Sequence, residues 1–197
     1  MSNKAVLMSI RPEWCNLIIQ GQKIIEVRKT RPKLETPFKV YIYCSGNSGW
    51  LMRPPKGLRK MDRKVIGEFT CDKIDKLVHV GTMMDINILT LDGWYKPADA
   101  LLQAACLTEE AAKKYLQGRN GCGWHISDLK IYDNPRDLNE FSRFGFLGMG
   151  RSNCVCGNRR CENYEPSYHY MIPPTCKIDG CSICRPPQSW CYVEDGR

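Results

Sequence analysis

The first 28 residues constrain the fold most, because they combine two apolar strands, a short helix and several charges. Residues 4–10 form an apolar run that ends at Arg11-Pro12, as a buried strand does. Pro12 suits the first turn of a helix, and Gly21 suits the end of one. Residues 24–28 then return to an apolar strand. This order predicts a mixed α+β protein with a small, strongly bent sheet.

Four charged residues lie inside or beside these apolar elements. They are Arg11, Lys23, Glu26 and Arg28. Charges in such places cost free energy unless they are paired or face a cleft. Because side chains alternate along a strand, Glu26 and Arg28 should share one face, and Lys23 could lean toward it from the preceding turn. The set could be a group of ion pairs that closes the fold. A basic cluster with one carboxylate could also bind a phosphate and accept a hydrogen bond from an exocyclic amine of single-stranded RNA. We favour this ligand-binding role.

The net charge of +8 is unevenly distributed along the chain. Residues 1–80 contain 16 Lys and Arg against 7 Asp and Glu, so the positive excess lies in the half that holds the four charges. A clustered positive surface attracts polyanions such as nucleic acids. The same lysines could alternatively serve only solubility.

Further elements follow with clear patterns. We predict strands at 38–44, 64–75, 123–132 and 186–193, and helices at 96–106 and 108–118. The second helix has the clearest signals, since Thr108 is a good N-cap and Gly118 a good stop. The last strand should return to the main sheet. Asn134-Pro135 should turn the chain after the strand at 123–132.

A basic loop rich in glycine and proline occupies residues 45–62. Trp50 could stack on a nucleobase there, or it could simply anchor the loop. Arg53 and Lys56 are candidate contacts to backbone phosphates.

Six of the 12 cysteines fall between positions 154 and 184. Because no secretion signal is evident, disulfides are disfavoured and a structural zinc ion is the preferred explanation, ahead of reduced free thiols. The preferred ligand set is Cys156, Cys161, Cys181 and Cys184, with Cys154 and Cys176 as alternates. A metal would stabilise a segment that has few large apolar side chains.

The pattern Gly21-x-Lys23-x-x-Glu26-x-Arg28, together with Ser9-x-Arg11-Pro12, Val65-Ile66-Gly67 and Trp124-His125-Ile126, resembles the ASCH domain family of the PUA-like superfamily. The order of elements resembles small ASCH proteins of bacteria and their phages. This resemblance implies a small mixed β-barrel with two or three flanking helices, built from residues 1–141 and 186–197. Residues 142–185 would be a cysteine-rich insertion. The resemblance also implies a cleft that holds RNA or a modified nucleoside.

Enzymatic activity is a second hypothesis. One ASCH branch that the chain resembles hydrolyses acetylated cytidine with a Lys and a Thr three positions later, but Glu26 stands at the position of that Thr. A carboxylate cannot replace a hydroxyl nucleophile without a change of mechanism. Lys23 and Glu26 could still act as charge stabiliser and base in hydrolysis of RNA or a modified nucleoside.

We therefore expect a nucleic-acid-binding module, with hydrolysis as the alternative. A third possibility is a protein-interaction adaptor that uses the cysteine-rich insertion. The sequence has no apolar run long enough to span a membrane and no secretion signal, which predicts a cytoplasmic protein.

Overall fold

A computed structural model of the chain describes residues 4–46, 61–80, 85–143, 164–168, 175–176, 182–183 and 185–195. Three α-helices lie in this part of the chain: α1 (Pro12–Ile19), α2 (Asp99–Ala104) and α3 (Glu109–Leu116). The strands are β1 (Lys4–Ile10), β2 (Ile25–Arg28), β3 (Phe38–Cys44), β4 (Val65–Cys71), β5 (Ile74–Val80), β6 (Asp85–Leu89), β7 (Tyr95–Pro97), β8 (Gly121–His125), β9 (Ser127–Arg136), β10 (Tyr164–Glu165), β11 (Thr175–Cys176) and β12 (Trp190–Glu194).

The strands form two five-stranded sheets and a short two-stranded one. The first sheet has the order β12-β1-β3-β4-β9, the second has the order β2-β8-β5-β6-β7, and β10 pairs with β11. The α+β class is therefore confirmed. Within the described ranges, the outer strands of each sheet do not pair with one another, so the sheets stay open and do not close into the expected barrel.

Two compact units make up the chain. Unit 1 comprises residues 1–11, 41–67 and 132–197, and unit 2 comprises residues 12–40 and 68–131. The division into a main domain and an insertion at 142–185 remains a prediction.

Unit 1 is held by a core in which the last strand returns to the first. β12 pairs antiparallel with β1, and Val193 lies opposite Ala5. Leu7 and Val193 are both fully buried in this core, where Tyr41 stacks edge-on against Phe141. The predicted return of the final strand to the sheet is confirmed.

Unit 2 buries one face of its sheet beneath α2 and α3. Apolar residues of β2, β5 and β6 form a single core with the two helices: Ile25, Val27, Leu77, Ile86, Ile88, Ala98, Leu101, Leu102, Ala105, Ala112 and Leu116. The side chains of Glu26 and Arg28 alternate with Ile25 and Val27, so they lie on the opposite face.

Several predicted boundaries were wrong. The helix expected at 96–106 begins at Asp99, because Lys96 pairs with Ile88 as part of β7. The strand expected at 64–75 is two strands, β4 and β5.

The strand expected at 123–132 is likewise two strands: β8 ends just before Ile126 and β9 begins just after it. Its amide donates to the carbonyl of Ile24, which extends the register of β8 with β2 by one residue before β9 begins. Asn134-Pro135 does not turn the chain, since both residues lie within β9. Pattern alone could not separate consecutive strands of similar polarity.

No helix in the described part of the chain has both the length and the apolar character that crossing a membrane requires.

Candidate functional site

Gly21 ends α1 and sets the direction of the chain that follows. Its φ of +70° is in the left-handed region, which glycine adopts without a steric penalty. The amide of Gly21 donates to the carbonyl of Ile18, and the amide of Gln22 donates to that of Leu17. This pair of bonds is a Schellman motif, which satisfies carbonyl groups at the helix end. Lys23 lies directly after it, and its amide also donates to Leu17.

The end of α2 has the same hydrogen-bond pattern with a cysteine in the left-handed position. Cys106 has a φ of +54°, its amide donates to the carbonyl of Gln103, and the amide of Leu107 donates to that of Leu102. The carbonyl groups at a helix C-terminus carry partial negative charge, so they favour a cation nearby. The carbonyl of Ala105 lies at this end and faces the segment that contains Lys23.

Lys23 joins this helix end to the charged cluster. Its Nζ donates to the carbonyl oxygen of Ala105 over 2.6 Å and lies 3.3 Å from Oε2 of Glu26. It also lies 5.0 Å from the ring centre of Trp14, within the range of a cation–π interaction. The residue is only 2% exposed, so these groups replace water around the ammonium.

Glu26 lies between two cations. Its Oε1 is 3.1 Å from a terminal guanidinium nitrogen of Arg28, and its Oε2 faces Lys23. We call Lys23, Glu26 and Arg28 the ionic triad. Formally it carries one excess positive charge. Breaking such a buried group is expensive, because the remaining partner would be left as an uncompensated charge.

One oxygen of the triad retains acceptor capacity. Among the residues that the structure describes, none donates a well-directed hydrogen bond to Oε2 of Glu26, although Lys23 lies within ion-pair distance. An ionised carboxylate can accept about four hydrogen bonds. The oxygen is buried, so a further N–H donor can reach it only if a neighbouring side chain moves.

The structure brings together three of the predicted site residues, namely those of the ionic triad. Arg11 is an exposed residue of unit 1, whereas the triad belongs to unit 2. Trp50, Arg53 and Lys56 lie outside the described residues, and so their predicted role stays a prediction.

The predicted zinc site also stays a prediction. Cys154, Cys156, Cys161, Cys181 and Cys184 lie outside the described residues, and only the backbone of Cys176 is described. Elsewhere in the described ranges, no three His, Cys, Asp or Glu side chains are grouped to hold a metal ion.

Two parts of the site were missed by sequence reasoning. The position of Trp14 on α1 favours a place in the core, but the residue is half-buried and lies beneath the Lys23 ammonium. The carbonyl of Ala105 had no sequence signal, because a backbone acceptor is the same for every residue type. Trp124, in contrast, is fully buried as its strand pattern predicts and stacks edge-on with Phe38 at 5.6 Å.

A second polar group in unit 2 joins β5 to β8. Nε2 of His125 lies 2.7 Å from Oδ2 of Asp75, and Nζ of Lys73 lies 2.9 Å from Oδ1 of the same carboxylate. Burial acts to raise the pKa of Asp75, but the hydrogen bonds from His125 and Lys73 outweigh it and the pKa is lowered. Asp75 is therefore ionised at neutral pH, and its carboxylate fixes the orientation of the partly exposed imidazole of His125.

Comparison with known proteins gives structural neighbours only. No family model matches the sequence, and no curated protein does. The structure is similar to that of ASCH from Zymomonas mobilis, with 19% sequence identity and a TM-score of 0.44, over 69% of this chain and 75% of that one. Two single-residue variants of that protein give TM-scores of 0.44 at 18% and 19% identity, over 69% and 71% of this chain and 77% and 78% of theirs. These neighbours are ASCH proteins, the family that the sequence motif resembles.

Proposed function

We propose that this chain is an RNA-binding module in which the ionic triad contacts a nucleobase and an adjacent phosphate. The observation that carries the proposal is the buried carboxylate of Glu26, held between two cations with acceptor capacity left on Oε2. Purely structural ion pairs are favourable only when their remaining lone pairs are satisfied. A base N–H donor would supply the missing hydrogen bond.

Arg28 provides the means of access. Its side chain is 11% exposed, compared with 2% for Lys23 and 6% for Glu26, so it is the outermost member of the ionic triad. A guanidinium binds phosphate and carboxylate with similar two-pronged geometry. Arg28 can therefore exchange Glu26 for a backbone phosphate, and its movement opens the Glu26 carboxylate to the N–H donor of the base. Lys23 remains anchored to Ala105 and keeps the carboxylate in place.

The overall charge supports the same conclusion. The chain carries +8, and the excess comes from the segment that contains the ionic triad. Encounter with a polyanion is accelerated by such a field, and single-stranded nucleic acid offers unstacked bases to a carboxylate.

The test is binding of fluorescent single-stranded RNA by the wild type and by Glu26→Gln. The amide keeps the side-chain volume but removes the negative charge and one acceptor oxygen, so we expect affinity to fall about tenfold, as for the loss of a charged hydrogen bond. Glu140→Gln is the matched control, since Glu140 is an exposed acid that pairs with Arg136 in unit 1. Equal affinity of Glu26→Gln and wild type for every RNA tested would refute the proposed role of Glu26.

Hydrolysis of a modified nucleoside or of RNA is the second candidate. It is favoured by the 3.3 Å between Lys23 Nζ and Glu26 Oε2, which places a carboxylate base beside a charge stabiliser. The test is turnover of a nucleoside panel that includes acetylated cytidine. Activity that Glu26→Gln abolishes would support an enzyme, and inactivity of the wild type across the panel would exclude these substrates.

A further inference from the structure

The hairpin between β6 and β7 presents aromatic side chains to solvent on a hydrogen-bonded turn. The amide of Thr90 donates to the carbonyl of Trp94 at 2.9 Å, and the amide of Gly93 donates to the carbonyl of Thr90. The hydroxyl of Thr90 accepts from the amide of Trp94 at 3.0 Å and donates to its carbonyl oxygen, also at 3.0 Å. Gly93, at a φ of +83°, adopts the left-handed conformation that this turn requires. The position of the following strand is therefore fixed.

β7 is exposed along its whole length at the edge of the second sheet. Trp94 is 75% exposed and Tyr95 is 58% exposed, values that are unusual for large aromatic side chains. Lys96 follows them and is exposed too. Exposed aromatic rings beside cations are the arrangement that stacks on nucleobases in proteins that bind single strands.

The register of the sheet connects Tyr95 to the ionic triad. Arg28 lies opposite Cys122, and Cys122 lies opposite Lys76. Lys76 in turn lies opposite Leu89, which lies opposite Tyr95. Residues directly opposite one another in antiparallel strands point to the same face. These five side chains therefore form one line across all five strands, which we call the cross-strand row.

The cross-strand row lies on the face opposite α2 and α3, and its exposure falls along the row. Tyr95 and Lys76 are exposed, whereas Cys122 is 8% exposed and the side chain of Arg28 11%. The cross-strand row runs on the side of Glu26 and Arg28, whereas the helices pack on Ile25 and Val27. Four strand spacings of about 4.8 Å give it a length of about 19 Å. RNA-binding sheets stack bases on their exposed aromatic side chains, and the cross-strand row offers Tyr95 for one base.

We propose that single-stranded RNA lies along the cross-strand row, with a base stacked on Tyr95 and phosphates contacted by Lys76 and Arg28. Cations alternate in the row with the thiol of Cys122 and the aliphatic side chain of Leu89. Lys76 is exposed, and among the described residues none forms an ion pair with it, so its charge is available to a phosphate. The RNA would thus enter at the aromatic edge, pass Lys76 and end at Arg28, the outermost member of the ionic triad.

This inference rests on the proposed function and extends it to a second contact point. The test is the affinity of an eight-nucleotide oligouridylate for the wild type, Tyr95→Ala, Tyr95→Phe and Lys76→Gln. Because stacking contributes about 1–3 kcal/mol per base, we expect Tyr95→Ala to weaken binding roughly tenfold and Tyr95→Phe to retain it. Lys76→Gln should reduce the slope of log affinity against log salt by about 0.7.

Two matched controls complete the design. Tyr168→Ala removes an aromatic ring that is 99% exposed in unit 1, and Lys114→Gln removes an exposed cation from α3. Both should bind as the wild type does. If the wild type binds and Tyr95→Ala and Lys76→Gln bind equally well, the cross-strand row is refuted while the proposed function stands. If the wild type binds no RNA, both are refuted.

Discussion

The Nζ of Lys23 lies 2.6 Å from the carbonyl oxygen of Ala105, so the ammonium of one segment caps the C-terminus of a helix 82 residues away in sequence. The same ammonium faces Glu26 at 3.3 Å. Helix α2, strand β2 and the ionic triad are therefore coupled through a single buried cation. This coupling gives Lys23 a structural role that is distinct from any role toward a ligand.

Replacing Lys23 should destabilise the protein strongly. Lys23→Met keeps most of the aliphatic chain but removes the hydrogen bond to Ala105 and leaves Glu26 with only Arg28 as a described ionic partner. We expect a loss of about 2–4 kcal/mol in the free energy of unfolding, measured by urea denaturation. Lys114→Met, at an exposed position of α3, should change it by less than about 0.5 kcal/mol. A similar, small effect of both substitutions would contradict the structural role of Lys23.

Replacing Gly21 should lower the free energy of unfolding, because other residues adopt its backbone conformation unfavourably. A Cβ added at this position would meet no atom within 4 Å, so steric contact adds nothing and the positive φ alone disfavours a side chain. Gly21→Ala should lower the free energy of unfolding by about 1 kcal/mol, and Gly21→Asn by less, because asparagine tolerates the left-handed region. Thermal and urea unfolding would measure both. Equal losses for the two substitutions would show that another effect dominates.

Asp75 should contribute to the acid dependence of stability. Its pKa in the folded protein is lowered from 3.8, because hydrogen bonds from His125 and Lys73 outweigh burial. A lowered pKa means that the unfolded chain binds the proton first, so this contribution is complete above about pH 5 and is lost as the pH falls below about 4. Asp75→Asn should therefore flatten the decline of the urea midpoint between about pH 5 and pH 2. If the urea midpoint of Asp75→Asn declined with falling pH as steeply as that of the wild type, this assignment would be contradicted.

Cys71 should resist alkylation. Burial is the main reason that the pKa of its thiol is raised to about 12, so almost no thiolate exists at about pH 8. Cys106 is half-exposed at the end of α2. In native protein treated with iodoacetamide at about pH 8, peptide mass analysis should show Cys106 modified at least about tenfold faster than Cys71. Comparable rates would mean that Cys71 is more accessible than its burial indicates.

Local signals in the sequence predicted the start of the chain and α3 well. Gly21 ends α1 as expected, and the hydroxyl of Thr108 accepts a hydrogen bond from the amide of Ala111 at the start of α3. Such caps depend on residues within a few positions of one another, so a single sequence contains the information. Alternation along β2 also predicted that Glu26 and Arg28 share a face.

The rest of the site depends on contacts between distant segments. The carbonyl of Ala105 and the ring of Trp14 surround Lys23 only after the strands and helices have packed. The alignment of Arg28 with Tyr95 needs four strand registers, and a one-residue shift in any of them would move the following side chains to the opposite face. No local pattern specifies such registers.

The central proposal is that this chain binds single-stranded RNA through exposed cations such as Lys76 and through Arg28, the outermost member of the ionic triad. The most direct measurement is the dissociation constant for a fluorescent oligouridylate at salt concentrations from about 50 to 200 mM. The account predicts a linear fall of log affinity with log salt; four phosphate contacts would weaken binding roughly 50-fold over this range. Absence of binding at about 50 mM salt, or an affinity that does not depend on salt, would contradict it.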